Sequence, residues 1–258
     1  MLISIWGKNG SGKSTAASNL ACAFAKRGRK TALIGANRFY GSIQYYFNME
    51  VRAEQSMRQM LTGGDSLSIQ DYFIECPFEK NIHIASLADG DDCAGYRKIR
   101  VDLAVRFINL VKKNYPVVLI DCDESTEDPL SMYSLTLSDK IVYIARPSLQ
   151  SVVFAKAYES IVTGLQIKEK IKPVYNGGGG SGAVGAGESA LFAPFGIDGE
   201  HCNLPYCKEI EHARGGSAPL ILSRGVNRAA GRYRREIFAL ADALIAGQAP
   251  VEPMQESG

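Results

Sequence analysis

Neither sign of charge dominates this chain: Lys+Arg 29 stand against Asp+Glu 27, a formal net charge of +2 over 258 residues. A whole-molecule field that would draw it onto nucleic acid or an anionic membrane is thereby excluded, and any such affinity has to come from a local patch. Long apolar runs are missing too, none approaching the ~20 residues that a membrane-spanning helix needs. The first residues, Met1-Leu2-Ile3-Ser4-Ile5-Trp6, run straight into a glycine loop with neither a basic stretch nor a long apolar one, so a signal peptide is not expected. Cysteine is sparse. The six residues (Cys22, Cys76, Cys93, Cys122, Cys202, Cys207) are scattered through segments that read as helix, strand and loop, which argues against a disulfide framework and suits a reducing cytoplasm. One local cluster, His201 and Cys202 with Cys207 and His212, could ligate a metal, but its Cys-x4-Cys spacing fits the usual zinc patterns poorly and ordinary cysteines are the expectation.

What is present is a globular composition, 46% hydrophobic and 22% charged, in a chain sized for one large domain. Apolar runs with strand character at 2–5, 31–34, 82–85, 117–120, 140–144 and 171–175 alternate with segments of helical spacing at 14–27, 99–113, 150–166 and 227–245. Continuously apolar strands between helices predict an α/β fold, a mostly parallel twisted sheet covered by helices on both faces. The domain is expected to span 1–246. Within it, 176–187 holds seven glycines in twelve residues and reads as a flexible loop or a linker, and 247–258 reads as a frayed tail without an amphipathic membrane anchor.

Directly after the first strand comes Gly7-Lys8-Asn9-Gly10-Ser11-Gly12-Lys13-Ser14-Thr15, which matches G-x-x-x-x-G-K-[ST] in the required context of strand, loop and helix. Glycines let consecutive backbone N–H groups wrap phosphates, and the following helix points the positive end of its dipole at them. Lys13 is expected to reach the β and γ oxygens and Ser14 to ligate Mg²⁺. Lys8, at the loop tip, cannot easily bend back on its own phosphates and is placed to neutralise those of another subunit.

With that second lysine the loop resembles the deviant Walker A loop of the ParA/MinD ATPases, K-G-G-x-G-K-[ST]. The resemblance implies ATP as the nucleotide and a homodimer in the ATP state, with Lys8 reaching across to the partner's phosphates. It extends along the chain. The segment 114–121, ending Val117-Val118-Leu119-Ile120-Asp121, looks like the strand that ends in the family's switch II aspartate, so Asp121 is implied to hold the Mg²⁺ shell through water. Residues 138–147 resemble the next strand and turn. Asn176 stands where the family has an adenine-reading asparagine, whose amide offers a donor and an acceptor to the base edge. Leu204-Pro205-Tyr206 resembles the proline turn beside the base.

Two departures bear on catalysis. Where the family has an Asp-x-Asp pair after the second strand, this chain has Ile34-Gly35-Ala36-Asn37-Arg38, and Asn37 can hydrogen-bond a water but cannot take its proton. The segment after Asp121 is instead rich in acid, Asp121-Cys122-Asp123-Glu124-Ser125-Thr126-Glu127-Asp128, so Asp123 or Glu124 could replace the missing carboxylate, or these acids form a solvated or partner-binding loop. Slow hydrolysis is the expectation, since phosphoryl transfer depends on an aligned water.

A basic stretch follows: Arg214, Arg224, Arg228, Arg232, Arg234 and Arg235 with no acidic residue among them. On a helix Arg228, Arg232 and Arg235 share one face, opposite Tyr233, Ile237, Leu240 and Leu244. With Arg224 they form a candidate patch for non-specific DNA or an acidic protein. The whole reading is a cytoplasmic ATP-dependent positioning switch that works with a protein partner of a localisation or assembly system. The resemblance reaches toward the TadZ/CpaE branch, which localises pilus assembly machinery. The alternatives are a partition ATPase on DNA and a metal-cofactor maturation relative resting on Cys202 and Cys207.

Overall fold

A computed structural model describes residues 1–63, 68–91, 93–94, 99–178, 188–197, 201–213, 218–223 and 227–246. Its sheet is built from β1 (Leu2–Trp6), β2 (Thr31–Gly35), β3 (Ile74–Cys76), β4 (Glu79–Ala85), β5 (Val117–Asp121), β6 (Lys140–Ala145), β7 (Ile171–Gly178) and β8 (Cys202–Pro205). They lie in the order β3-β4-β2-β5-β1-β6-β7-β8, with only the β3–β4 edge antiparallel. The helices are α1 (Lys13–Lys26), α2 (Met57–Thr62), α3 (Val101–Asn114), α4 (Pro129–Leu137), α5 (Leu149–Gly164), α6 (Glu188–Phe192), α7 (Lys208–Ala213) and α8 (Arg228–Ile245). This is the doubly covered parallel sheet that the apolar runs predict.

Both faces of the sheet are dry because successive side chains alternate between them. Leu2 and Trp6 join a core with residues of α3, α4 and α5, while Ile3 and Ile5 join a second core with α1 and α8. Alanines at 16, 17, 21, 23 and 25 are all buried and let α1 lie close to the strands. On α8, Tyr233, Ile237, Leu240 and Leu244 are buried against α1 and β8, the three aliphatic side chains each contributing about 1.5–3 kcal/mol of apolar burial. Among the described residues no helix is long and apolar enough to cross a membrane.

The topology fixes where a ligand can enter. The chain leaves β1 through α1 to reach β2 on one side, while β6 lies on the other, and β1 itself is flanked by β5 and β6. The strand order reverses there, and in open α/β sheets the crevice outside the carboxyl ends of such strands is the binding place. Residues 7–12, the end of β5 and the end of β6 all meet in it.

Candidate functional site

The loop at the end of β1 holds a shape that only glycine tolerates at two points. Gly7 has φ 145°, and a Cβ there would stand 2.3 Å from the Ile144 carbonyl oxygen. Gly12, with φ 100°, caps α1, and a Cβ there would meet the Asn176 amide nitrogen at 2.2 Å. The loop therefore lies tight against β6 and β7.

Inside it, Lys13 is buried and its ammonium donates to Gly7 O at 2.9 Å and to Asn9 Oδ1 at 3.0 Å. Burial pulls its pKa down, opposed mainly by the charge of Asp121. Asp121 ends β5 beside it. Burial pushes its carboxyl up to about 6 against the pull of Lys13 and a hydrogen bond from Ser14. The second oxygen, Oδ1, is buried without a hydrogen-bond partner. A cavity of about 220 Å³ opens here, lined by Lys13, Ser14, Asn37 and Asp121 among others. A serine hydroxyl, a buried carboxylate with an unsatisfied oxygen and room for phosphates and water are the donor set a Mg²⁺ ion takes in such sites, so the residues fit it.

A second cavity of about 400 Å³ lies on the other side of the loop, between Lys8, Gly10, Ser11, Arg146, Ser148 and Gly177. Ser11 Oγ is buried there without a partner, and Arg146 reaches the Gly10 carbonyl at 3.5 Å. Lys8 is half-buried and its ammonium rests on the Asn9 carbonyl at 3.3 Å. Asn176 does reach the loop, but its amide donates to Ser11 O at 2.7 Å, bracing the loop from β7. Pro205 is the last residue of edge strand β8, opposite Gly178, rather than part of a turn, and Tyr206 beyond it is 48% exposed.

The acidic segment is arranged differently from a free cluster. Asp123 accepts from Ser125 N at 3.0 Å and lies 3.8 Å from Arg38 Nε. Glu124 accepts from the Asn9 amide at 2.7 Å, and Trp6 Nε1 donates to its carbonyl at 3.4 Å. Asn37 Oδ1 accepts from Phe39 N and Tyr40 N, closing its own turn. The sequence reading missed two partners here, Asn9 on Lys13 and Arg38 on Asp123; the place of Arg38, directly after Asn37 at the end of β2, was the available signal.

On α8, Arg228, Arg232 and Arg235 are exposed on one face. Arg234 is not part of it: it turns back to donate to the carbonyls of Leu220 and Ser223. Arg214, Arg224, residues 179–187 and the 247–258 tail lie outside the described residues. Cys202 lies on β8, and Cys207 Sγ donates to Glu209 at 2.9 Å. Among the described residues no group of three or more His, Cys, Asp or Glu is placed to hold a metal ion.

A phosphate-wrapping loop at the switch point of a parallel sheet, with lysine, hydroxyl and buried aspartate converging on it, defines a P-loop nucleotide-binding protein. Residues 2–156 match the family described as AAA domain. The chain belongs to that family, a ParA/MinD-like family of P-loop ATPases. Its fold is similar to that of the septum site-determining protein MinD from Pyrococcus horikoshii, solved with Mg-ADP: TM-score 0.76 at 18% identity, covering 96% of this chain and 98% of that one. A ParA family ATPase from Chlorobium tepidum aligns with TM-score 0.75 at 14% identity over 93% and 98% of the two chains. The MinC:MinD cell division complex of Aquifex aeolicus aligns with TM-score 0.74 at 16% identity over 98% and 99%. Two curated relatives from Methanocaldococcus jannaschii, each an uncharacterized ATP-binding protein, are 26% identical over 149 residues and 28% identical over 172. Those matches cover 58% and 63% of this chain but only 54% and 62% of the relatives' own length.

Proposed function

We propose that this protein is an ATP-binding switch that dimerises with two nucleotides at the interface and positions a protein partner, with slow hydrolysis resetting it. The observation that carries the reading is the convergence of Lys13, Ser14 and the unsatisfied Asp121 Oδ1 on one cavity at the end of β1. Ser14 and Asp121 would hold Mg²⁺, which when bound neutralises charge on the phosphates. Lys13 binds the outer phosphates, the glycine loop and the start of α1 wrap them with backbone amides, and Lys8, half-buried at the loop tip, is available to a second subunit. Slow turnover is supported by Asn37, whose carbonyl is spent on its own turn, and by Asp123, held by Arg38 and Ser125 rather than aimed at the cavity. A protein partner in general draws support from the MinC:MinD cell division complex of the similar Aquifex aeolicus protein, and pilus or secretion machinery is the particular partner system proposed.

Light scattering in Mg-ATP and Mg-ADP on the wild type and Lys8→Ala tests this reading. A dimer that needs both ATP and Lys8 and persists for hours is expected; a monomer under every condition overturns it. A second reading, non-specific DNA binding, is favoured by the exposed Arg228, Arg232 and Arg235. It predicts duplex retention in Mg-ATP that falls steeply with salt and disappears when all three become Glu.

A further inference from the structure

Two acceptors of this chain lie on the groups that a polyphosphate would use. The Glu124 carboxylate accepts from the Asn9 N–H at 2.7 Å, and the Asn9 side-chain carbonyl accepts from the Lys13 ammonium at 3.0 Å. Their place along the loop matters. The lysine of such a loop reaches the β and γ phosphates, and Asn9, whose side chain accepts from that ammonium and which lines the same cavity, belongs to the terminal end of a bound triphosphate. The amides at the start of α1 face the inner phosphates instead.

Glu124 also ties the acidic segment down, since Trp6 Nε1 donates to its carbonyl at 3.4 Å. The neighbouring Asp123 is fastened in turn, to Ser131 Oγ through its own N–H at 2.9 Å and to Arg38 at 3.8 Å. Those anchors do not involve Glu124, so a displacement of its carboxylate bears on Asn9 and, through the Glu124 carbonyl, on Trp6.

We propose that Glu124 is a specificity-determining residue through which the site reads the number of phosphates. The terminal phosphate of a triphosphate takes the Asn9 N–H and expels the Glu124 carboxylate, because two anions cannot share one donor at hydrogen-bond distance. A diphosphate ends short of that N–H and leaves the contact in place. The triphosphate state then differs from the diphosphate state by the release of the Glu124 carboxylate from Asn9, the differential interaction that a nucleotide switch requires. The inference rests on the ATP-binding reading above and deepens it by naming the residue that tells its two states apart.

The test uses the full chain and two variants, Glu124→Ala and Glu124→Gln, titrated calorimetrically with Mg-ADP and with a non-hydrolysable Mg-ATP analogue. A triphosphate must break a charge-assisted contact that a diphosphate keeps, so Glu124→Ala is expected to raise triphosphate affinity about tenfold and diphosphate affinity less than about threefold. Glu124→Gln, neutral but still an acceptor, falls between. Trp6 is the one tryptophan of the chain and is buried, so its emission reports the same event. It is expected to change with the triphosphate and to stay near the nucleotide-free value with the diphosphate. Equal effects of Glu124→Ala on both nucleotides, or equal changes in Trp6 emission, overturn the inference while leaving nucleotide binding intact. A wild type that binds neither nucleotide overturns the reading beneath it.

Discussion

Replacing Gly12 by Ala strikes the point where β7 braces the phosphate loop, and its cost can be worked from two separable parts. The first is backbone strain, since φ at Gly12 is 100° and an L side chain there costs about 2 kcal/mol. The second is steric: the new Cβ would stand 2.2 Å from Asn176 Nδ2, so that amide must leave and its 2.7 Å bond to Ser11 O is lost, about 1 kcal/mol more. Gly12→Ala is thus expected to cost about 3 kcal/mol and Asn176→Ala, which loses only the bond, about 1 kcal/mol. The double variant should cost about 3 rather than about 4 kcal/mol, because the bond can be lost only once, a coupling of about 1 kcal/mol. Urea unfolding without nucleotide measures all four proteins, provided circular dichroism and Trp6 fluorescence give coincident transitions. Costs that simply add to within about 0.3 kcal/mol would refute the bracing contact.

Two further outcomes follow from buried acids. Burial raises the Asp121 carboxyl to about 6 from 3.8, so the folded chain holds that proton more tightly than the unfolded one. Without Mg²⁺ and nucleotide, its contribution makes unfolding free energy fall as pH rises from about 4 to about 6, by up to about 3 kcal/mol. Wild type minus Asp121→Asn, measured by urea unfolding across that window, isolates the slope; a flat difference contradicts it. Asp128, buried, caps α4 by accepting from Ser131 N at 2.7 Å. Asp128→Ala is expected to lower stability by about 1–2 kcal/mol, read in the same assay, with a neutral result refuting the cap.

Much of this architecture was legible because its signals are local. Glycines at 7, 10 and 12 followed by Lys13 and Ser14 encode the loop by spacing alone, and six of the strands are apolar runs broad enough to see. The two missed strands are edge elements: β3 has three residues, and β8, Cys-Asn-Leu-Pro, has Leu204 as its one fully buried side chain. Helix α4 was hidden because serines take core positions, with Ser131 and Ser134 buried beside Leu130 and Leu135, which blurs the apolar period. The Asp128-Pro129 start was its available signal, a capping acid followed by proline in the first turn. Nothing local announces that Glu124 sits on Asn9, 115 residues away, or that Arg234 leaves the basic face to satisfy the carbonyls of Leu220 and Ser223. The Glu124 pairing depends on which loops the sheet order brings together at the ends of β1 and β5, and that of Arg234 on how the segment before α8 folds back on the helix.

The most direct test of the account is calorimetric titration of Mg-ATP into the wild type and into Lys13→Ala, with thermal unfolding of both proteins to confirm that the variant folds. The account predicts saturable binding of one ATP per chain to the wild type and a loss of more than about tenfold in affinity when the ammonium is removed, the scale of a charged hydrogen bond to phosphate. Wild type that takes up no ATP, or a folded Lys13→Ala that binds it equally well, would contradict the claim that the loop between β1 and α1 is a nucleotide site.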